Sequence, residues 1–123
     1  MGLSLWLRQR ELQKGISVPI VENVTIDELK QGLADGSILL VDVREPNEWD
    51  AGHIPGATLN PLSVFDPAAL PNDDGKRVVL QCRSGKRSVT ALGLAQEAGR
   101  SDVRAHFGGG MLEWLAAGEP VQQ

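Results

Sequence analysis

The chain has 123 residues, 41% hydrophobic and 23% charged, with a formal net charge of −4. Those values suit one globular domain able to bury a core without disulfide staples, and the mildly acidic balance argues against non-specific binding to nucleic acid or membrane surfaces. Aromatic residues are 4% and Tyr is absent, so Val, Leu, Ile and Ala must build the core. A single cysteine excludes an internal disulfide. Two distant histidines and no cysteine pair offer no metal set.

In chain order, residues 1–17 read as an extension outside the core. Within Met1–Gly15, Leu5 and Leu12 lead towards Ile16 and are broken by Arg8, Arg10, Glu11 and Lys14, the pattern of a weak amphipathic helix. The stretch Met1–Leu7 is too short for a signal peptide and lacks its basic flank. Trp6 stands where a myristoylation pattern needs Ser or Thr, and no apolar run is long enough to span a bilayer. The expected location is cytoplasmic. A domain is expected over 18–120.

Pro19–Glu22 predicts a first strand. Thr25-Ile26-Asp27-Glu28 reads as a capping box opening a helix that Gly36 ends. Ile38–Val43 is a nearly continuous apolar run, as in a parallel strand buried on both faces. Asp42 and Arg44 close it and share one face. Pro46 opens a short helix to Asp50, a Gly52–Gly56 turn follows, and Ala57–Asn60 predicts a third strand. Ser63–Leu70 is expected to be a short helix, and Pro71–Gly75 a turn. Val78–Gln81 is the fourth strand and Val103–Phe107 the fifth. A last helix is expected over Met111–Ala117, stopped by Gly118. Strands alternating with helices imply right-handed crossovers and a parallel sheet covered on both faces. Ligands of such sheets bind beyond the strands' carboxyl ends.

Cys82 sits at such an end, where Val78-Val79-Leu80-Gln81 meets Arg83-Ser84-Gly85-Lys86-Arg87-Ser88 and a helical stretch through Val89, Leu92 and Ala95. Helix amino ends and successive loop amides attract anions. Arg83, Lys86 and Arg87 add cations, with no acid between Asp74 and Glu97. A thiol in that setting is expected to ionise below its ordinary value of about 8.5 and act as a nucleophile. The plainer reading is a buried, inert cysteine; the cationic, glycine-bearing loop weighs against it. A phosphate-binding P-loop fails, because Leu80 and Arg87 occupy its Gly and Ser/Thr positions. A tyrosine-phosphatase loop would place Arg six residues after the Cys, where Ser88 stands. A shorter loop cradles a smaller centre, which favours sulfur over phosphoryl.

The segment Cys82–Ser88 resembles the active-site loop of the rhodanese, or thiosulfate sulfurtransferase, family. Leu40–Pro46 with Glu48-Trp49 and Gly52–Ala57 resembles that family's first signature, and Gly109–Trp114 its closing one; the three occur in the family's order. The resemblance implies a three-layer rhodanese-like α/β fold around a mainly parallel five-stranded sheet. It implies a single-domain enzyme that moves sulfane sulfur from thiosulfate, or a similar donor, through a Cys82 persulfide. Loop amides from Arg83 to Ser88, with Ser84 and Gly85 among them, would hold the anion. Arg83, Lys86 and Arg87 would attract the donor, Arg87 by direct two-point contact. Mercaptopyruvate-using relatives carry Gly after the Cys, so Arg83 points to thiosulfate.

Asp42, Arg44, Glu48 and His53 are expected to support the site, with Glu48 the nearest partner for Arg44 and His53 fixing the turn before Pro55. His106, Trp49 and Trp114 read as packing residues. No cofactor is called for. The acceptor is expected to be cyanide, a thiol or a sulfur-carrier protein, without nucleic acid or membrane, and the chain a monomer or weak homodimer. Alternatives are a cysteine-dependent phosphatase or arsenate reductase of the same fold, or a non-catalytic binding module.

Overall fold

A computed structural model describes residues 18–73 and 75–123; the amphipathic segment expected at Met1–Gly15 lies outside them. The strands are β1 (Glu22–Asn23), β2 (Ile38–Asp42), β3 (Thr58–Leu59), β4 (Arg77–Gln81) and β5 (Ala105–His106). The helices are α1 (Ile26–Asp35), α2 (Pro46–Ala51), α3 (Lys86–Glu97) and α4 (Gly110–Ala116). The sheet has the order β1-β5-β4-β2-β3, and every pairing is parallel.

The two apolar runs become the two central strands. Their register sets Leu40 beside Val79 and Asp42 beside Gln81. Side chains alternate along a strand, and the core divides accordingly. Ile38, Leu40 and Val79 pack with Leu29, Phe107, Met111 and Trp114 on one face. Val41, Val43, Val78, Leu80 and Cys82 pack with Ala91, Leu92 and Ala95 of α3 on the other. Thr25 caps α1 as expected: its Oγ1 accepts from Glu28 N–H at 3.2 Å, while Glu28 Oε1 accepts from Thr25 N–H at 3.0 Å. Among the described residues no helix is long and apolar enough to cross a membrane.

Three expectations change. The outer strands are two residues each: Asn60 N–H still donates to Asp42 O and Phe107 N–H to Leu80 O, both at 2.9 Å, before the chain leaves the sheet, while Val103 N–H bonds back to Arg100 O at 3.1 Å instead of joining β5. Ser63–Leu70 is not one helix but two 3₁₀ turns, Leu62–Val64 and Pro67–Ala69. Pro67 has no N–H to continue a ladder, and the Asp66 carboxylate caps the second turn by accepting from Ala68 N–H at 3.0 Å. Helix α3 begins at Lys86, so part of the expected loop is already helix.

Candidate active site

Cys82 follows β4 on the face that α3 covers, and Ser88 lies on the α3 stripe that continues through Ala91, Leu92 and Ala95. Strand and helix periodicities therefore aim both side chains at one point. Gly85 makes the turn between them at φ 91°, in the left-handed region. A Cβ there would stand 2.5 Å from Gly108 O. Gly110 is as tightly placed, at φ 60°, where a Cβ would meet Arg83 O at 2.5 Å. Beyond it, Met111 and Leu112 N–H donate to the carbonyls of Cys82 and Arg83 at 2.9 and 3.1 Å. The glycine run after β5 and the start of α4 thus clamp the cysteine loop from outside.

Cys82 is fully buried. Burial alone would suit an inert packing cysteine; the donors on its sulfur separate the two readings. Gly85 N–H points at Sγ from 3.1 Å and Ser88 N–H from 3.4 Å. A thiol needs no such convergence of amides, whereas a sulfur anion does. Ser88 Oγ lies 3.6 Å from Sγ. Arg83, Ser84 and Lys86 are exposed around the loop.

The supporting residues assemble differently from the sequence expectation. Arg44 does not pair with the Glu48 carboxylate. Its Nε and Nη2 donate to Asp42, at 2.8 Å for Nη2 to Oδ2, and Nη2 also donates to Gly52 O at 2.8 Å. Asp42 and Arg44 share a face two residues apart, so they meet without any loop closing first. Glu48 is taken by Arg87, whose Nη1 and Nη2 donate to its two oxygens at 2.7 and 2.9 Å. The Arg87 fork expected to grip an oxyanion is therefore occupied by a carboxylate from α2. That pair holds the Glu48 carboxyl well down, to about 2, chiefly through the Arg87 hydrogen bonds against a smaller opposing effect of burial. The same contacts raise Arg87, with the Cys82 charge adding a lesser push. The absence of acids along the loop's own sequence did not carry over to space.

His53 stacks on Trp49, rings 3.6 Å apart and nearly parallel at 3°, and its Nδ1 lies 3.1 Å from Trp49 O. Its backbone pairs with Gln122. These contacts tie His53 to Trp49 and Gln122, and Trp49 is a stacking partner rather than plain wall; Trp114 is core. His106 is not simply packing: Nδ1 lies 2.7 Å from Ser88 Oγ. Strand alternation could have placed it on the Cys82 side of the sheet's edge; nothing in the sequence paired it with Ser88.

A parallel sheet with a cysteine loop cradled between a strand end and a helix start defines the class, and comparison with known proteins agrees. A model of the rhodanese-like domain matches residues 25–117. The chain belongs to the rhodanese-like family. The uncharacterized protein slr1261 of Synechocystis is 43% identical over 80% of this chain, which spans 56% of that protein's length. The human thiosulfate:glutathione sulfurtransferase is 35% identical over 75% of this chain and 91% of its own. The solved structure of the human single-domain sulfurtransferase TSTD1 superposes with a TM-score of 0.65 at 34% identity, covering 76% of this chain and 95% of that one.

Proposed function

We propose that this chain is a sulfurtransferase that carries sulfane sulfur on Cys82. The observation that supports it most is the pair of amides, from Gly85 and Ser88, converging on Sγ. The Cys82 thiolate attacks the outer sulfur of thiosulfate. The sulfur–sulfur bond of the donor breaks, and sulfite leaves with its electron pair. The outer sulfur stays on Cys82 as a persulfide whose charge the loop amides hold. A thiolate or cyanide then attacks that outer sulfur, and Cys82 departs as the thiolate it was. Both steps balance without metal or redox partner. Thiosulfate as donor and a small thiol as acceptor draw support from the relatives named thiosulfate:glutathione sulfurtransferase and from Arg83 beside the cysteine.

Intact mass after incubation with thiosulfate tests this directly. The expected result is a gain of one sulfur atom, lost on adding a thiol or cyanide and absent in Cys82→Ser, which keeps the side chain's size without the nucleophile. No gain in the wild-type chain, or turnover by the serine variant, overturns the proposal.

A further inference from the structure

Ser88 Oγ stands among three groups: His106 Nδ1 at 2.7 Å, Gly85 O at 3.2 Å and Cys82 Sγ at 3.6 Å. A hydroxyl has one hydrogen to place among them. Which neighbour receives it depends on the ring, because imidazole Nδ1 is an acceptor in one tautomer and a donor in the other. Among the described residues Nε2 has no hydrogen-bond partner, and Gly108 carries no side chain over it; a Cβ there would stand 3.4 Å from that nitrogen.

The geometry points to His106 as a positioning residue that works through Ser88, taking up the proton Cys82 loses and turning the Ser88 hydroxyl towards the sulfur. The inference rests on the reading of Cys82 as the working thiol. With the thiol protonated, S–H faces Ser88 Oγ, and Ser88 O–H donates to Nδ1. On ionisation the sulfur's proton passes to Ser88 Oγ while the Ser88 proton passes to Nδ1, and Nε2 gives its own proton to water. The result is a thiolate, a Ser88 O–H aimed at it and a neutral ring donating from Nδ1. One proton has left the protein, and no other bond has changed.

The surroundings permit this. Burial holds the His106 pKa below its ordinary value, so the ring is neutral near pH 7 with one nitrogen open to accept. The charged side chains on β1, β4 and α3, which pack most closely on β5, are Glu22, Arg77, Lys86, Arg87 and Glu97, and α4 adds Glu113. Glu22 bonds Arg77 at 3.0 Å and lies 3.4 Å from Arg104, and Arg87 bonds Glu48. None of them hydrogen-bonds the ring. Among the described residues Ser88 is the side chain that hydrogen-bonds the ring, and it joins the ring to Cys82.

The test is nitrogen NMR on the full chain with ¹⁵N-labelled histidine, run beside the pH profile of Cys82 alkylation by iodoacetamide. The His106 ring should carry its proton on Nε2 where the thiol is protonated and on Nδ1 where alkylation is fast. The two profiles should change together, and in Ser88→Ala the ring should stop following. A ring that keeps one tautomer while alkylation changes, or that follows it equally in Ser88→Ala, overturns the inference. A second pair of variants separates hydrogen bonding from packing. His106→Leu fills space but frees the hydroxyl to turn to Gly85 O, and should slow alkylation at pH 7 about tenfold. His106→Gln restores a donor for Ser88 and should recover most of that loss. Equal rates for Leu and wild type, or for Leu and Gln, would likewise overturn it. These readouts need only the thiol. A chain that takes no sulfur from thiosulfate would refute the sulfurtransferase reading while leaving the relay to be decided by its own signals.

Discussion

Two arginine–carboxylate pairs stand near the carboxyl edge of the sheet, and their contrast shows how this site is divided. Asp42–Arg44 joins residues two apart; the side chains are 0% and 6% exposed, and the guanidinium also reaches Gly52 O. Glu48–Arg87 joins residues 39 apart, with side chains 25% and 32% exposed. The first fixes the turn after β2 from within. The second ties the start of the cysteine helix to α2 and can exchange with solvent. One is a scaffold; the other is the only carboxylate seen gripping the loop's cations among the described residues.

The largest break comes from the buried pair. Arg44→Leu leaves Asp42 without its cation in a fully buried place, so we expect a loss of about 3–5 kcal/mol in urea unfolding. Replacing both residues by apolar ones of similar volume should recover part of it, because an uncompensated buried charge is what costs most. If Arg44→Leu lost no more than Glu48→Gln, the two pairs would not differ as described.

Glu48→Gln should cost less, about 1 kcal/mol, as expected of a pair that water still reaches. Its more telling effect is kinetic. With the carboxylate gone, the Arg87 fork is open to an oxyanion, and KM for thiosulfate should fall a few-fold in single-turnover loading. A rise in KM with loss of loading rate would mean that the pair shapes the loop rather than masking its charge.

The contrast also explains what could be read in advance. The Asp42–Arg44 face, the capping box at Thr25, the two central strands and the cysteine turn all follow from local pattern: alternation, apolar runs and a glycine where the chain must turn. Glu48–Arg87 and His106–Ser88 do not. Each joins elements whose approach is fixed by sheet order, with β2 and β5 flanking β4, so neither pairing is encoded near either residue. Glu48 is legible as part of a signature, yet sequence distance pairs it with Arg44 where spatial distance pairs it with Arg87. The two-residue outer strands read as longer in the sequence for a related reason. Apolar character persists past the point where the ladder ends: Val103 is buried although its N–H turns back to Arg100 O, while Phe107 N–H still donates to Leu80 O at 2.9 Å as the chain leaves the sheet.

A smaller effect should appear in acid. The Glu48 carboxyl is held down to about 2 against an ordinary 4.5, first by the Arg87 hydrogen bonds. A depressed carboxyl contributes stability that is complete above about 4.5 and fades as pH falls through the folded value. The stability gap between wild type and Glu48→Gln should therefore narrow from pH 4.5 downward. A constant gap over that range would show that the charge on Glu48 contributes nothing.

The smallest expected effect concerns Lys86, and it sharpens the division of charge around the loop. Lys86 and Arg83 are exposed, and neither makes an ion pair among the described residues, while Arg87 is engaged with Glu48. On the proposed reading, with thiosulfate as donor, long-range attraction of the dianion would fall to Lys86 and Arg83. Attraction by an exposed charge acts through solvent and fades beyond a Debye length of about 10 Å at 0.1 M salt. Lys86→Ala should raise KM for thiosulfate about twofold at low ionic strength, mostly through slower capture. Raising the salt should produce the same change in the wild-type chain and erase the difference between the two. Arg87→Ala should behave otherwise. It releases Glu48 beside the loop and loosens α3 from α2, so its loss should persist at high salt and extend to unloading of the persulfide by a neutral thiol. Lys86→Ala should change that unloading step far less, because the thiol is neutral in bulk and reacts as a thiolate of single charge, which is steered less than a dianion. If Lys86→Ala instead slowed both half-reactions equally and independently of salt, its role would be to hold the helix start in shape, and donor capture would have to be assigned to Arg83.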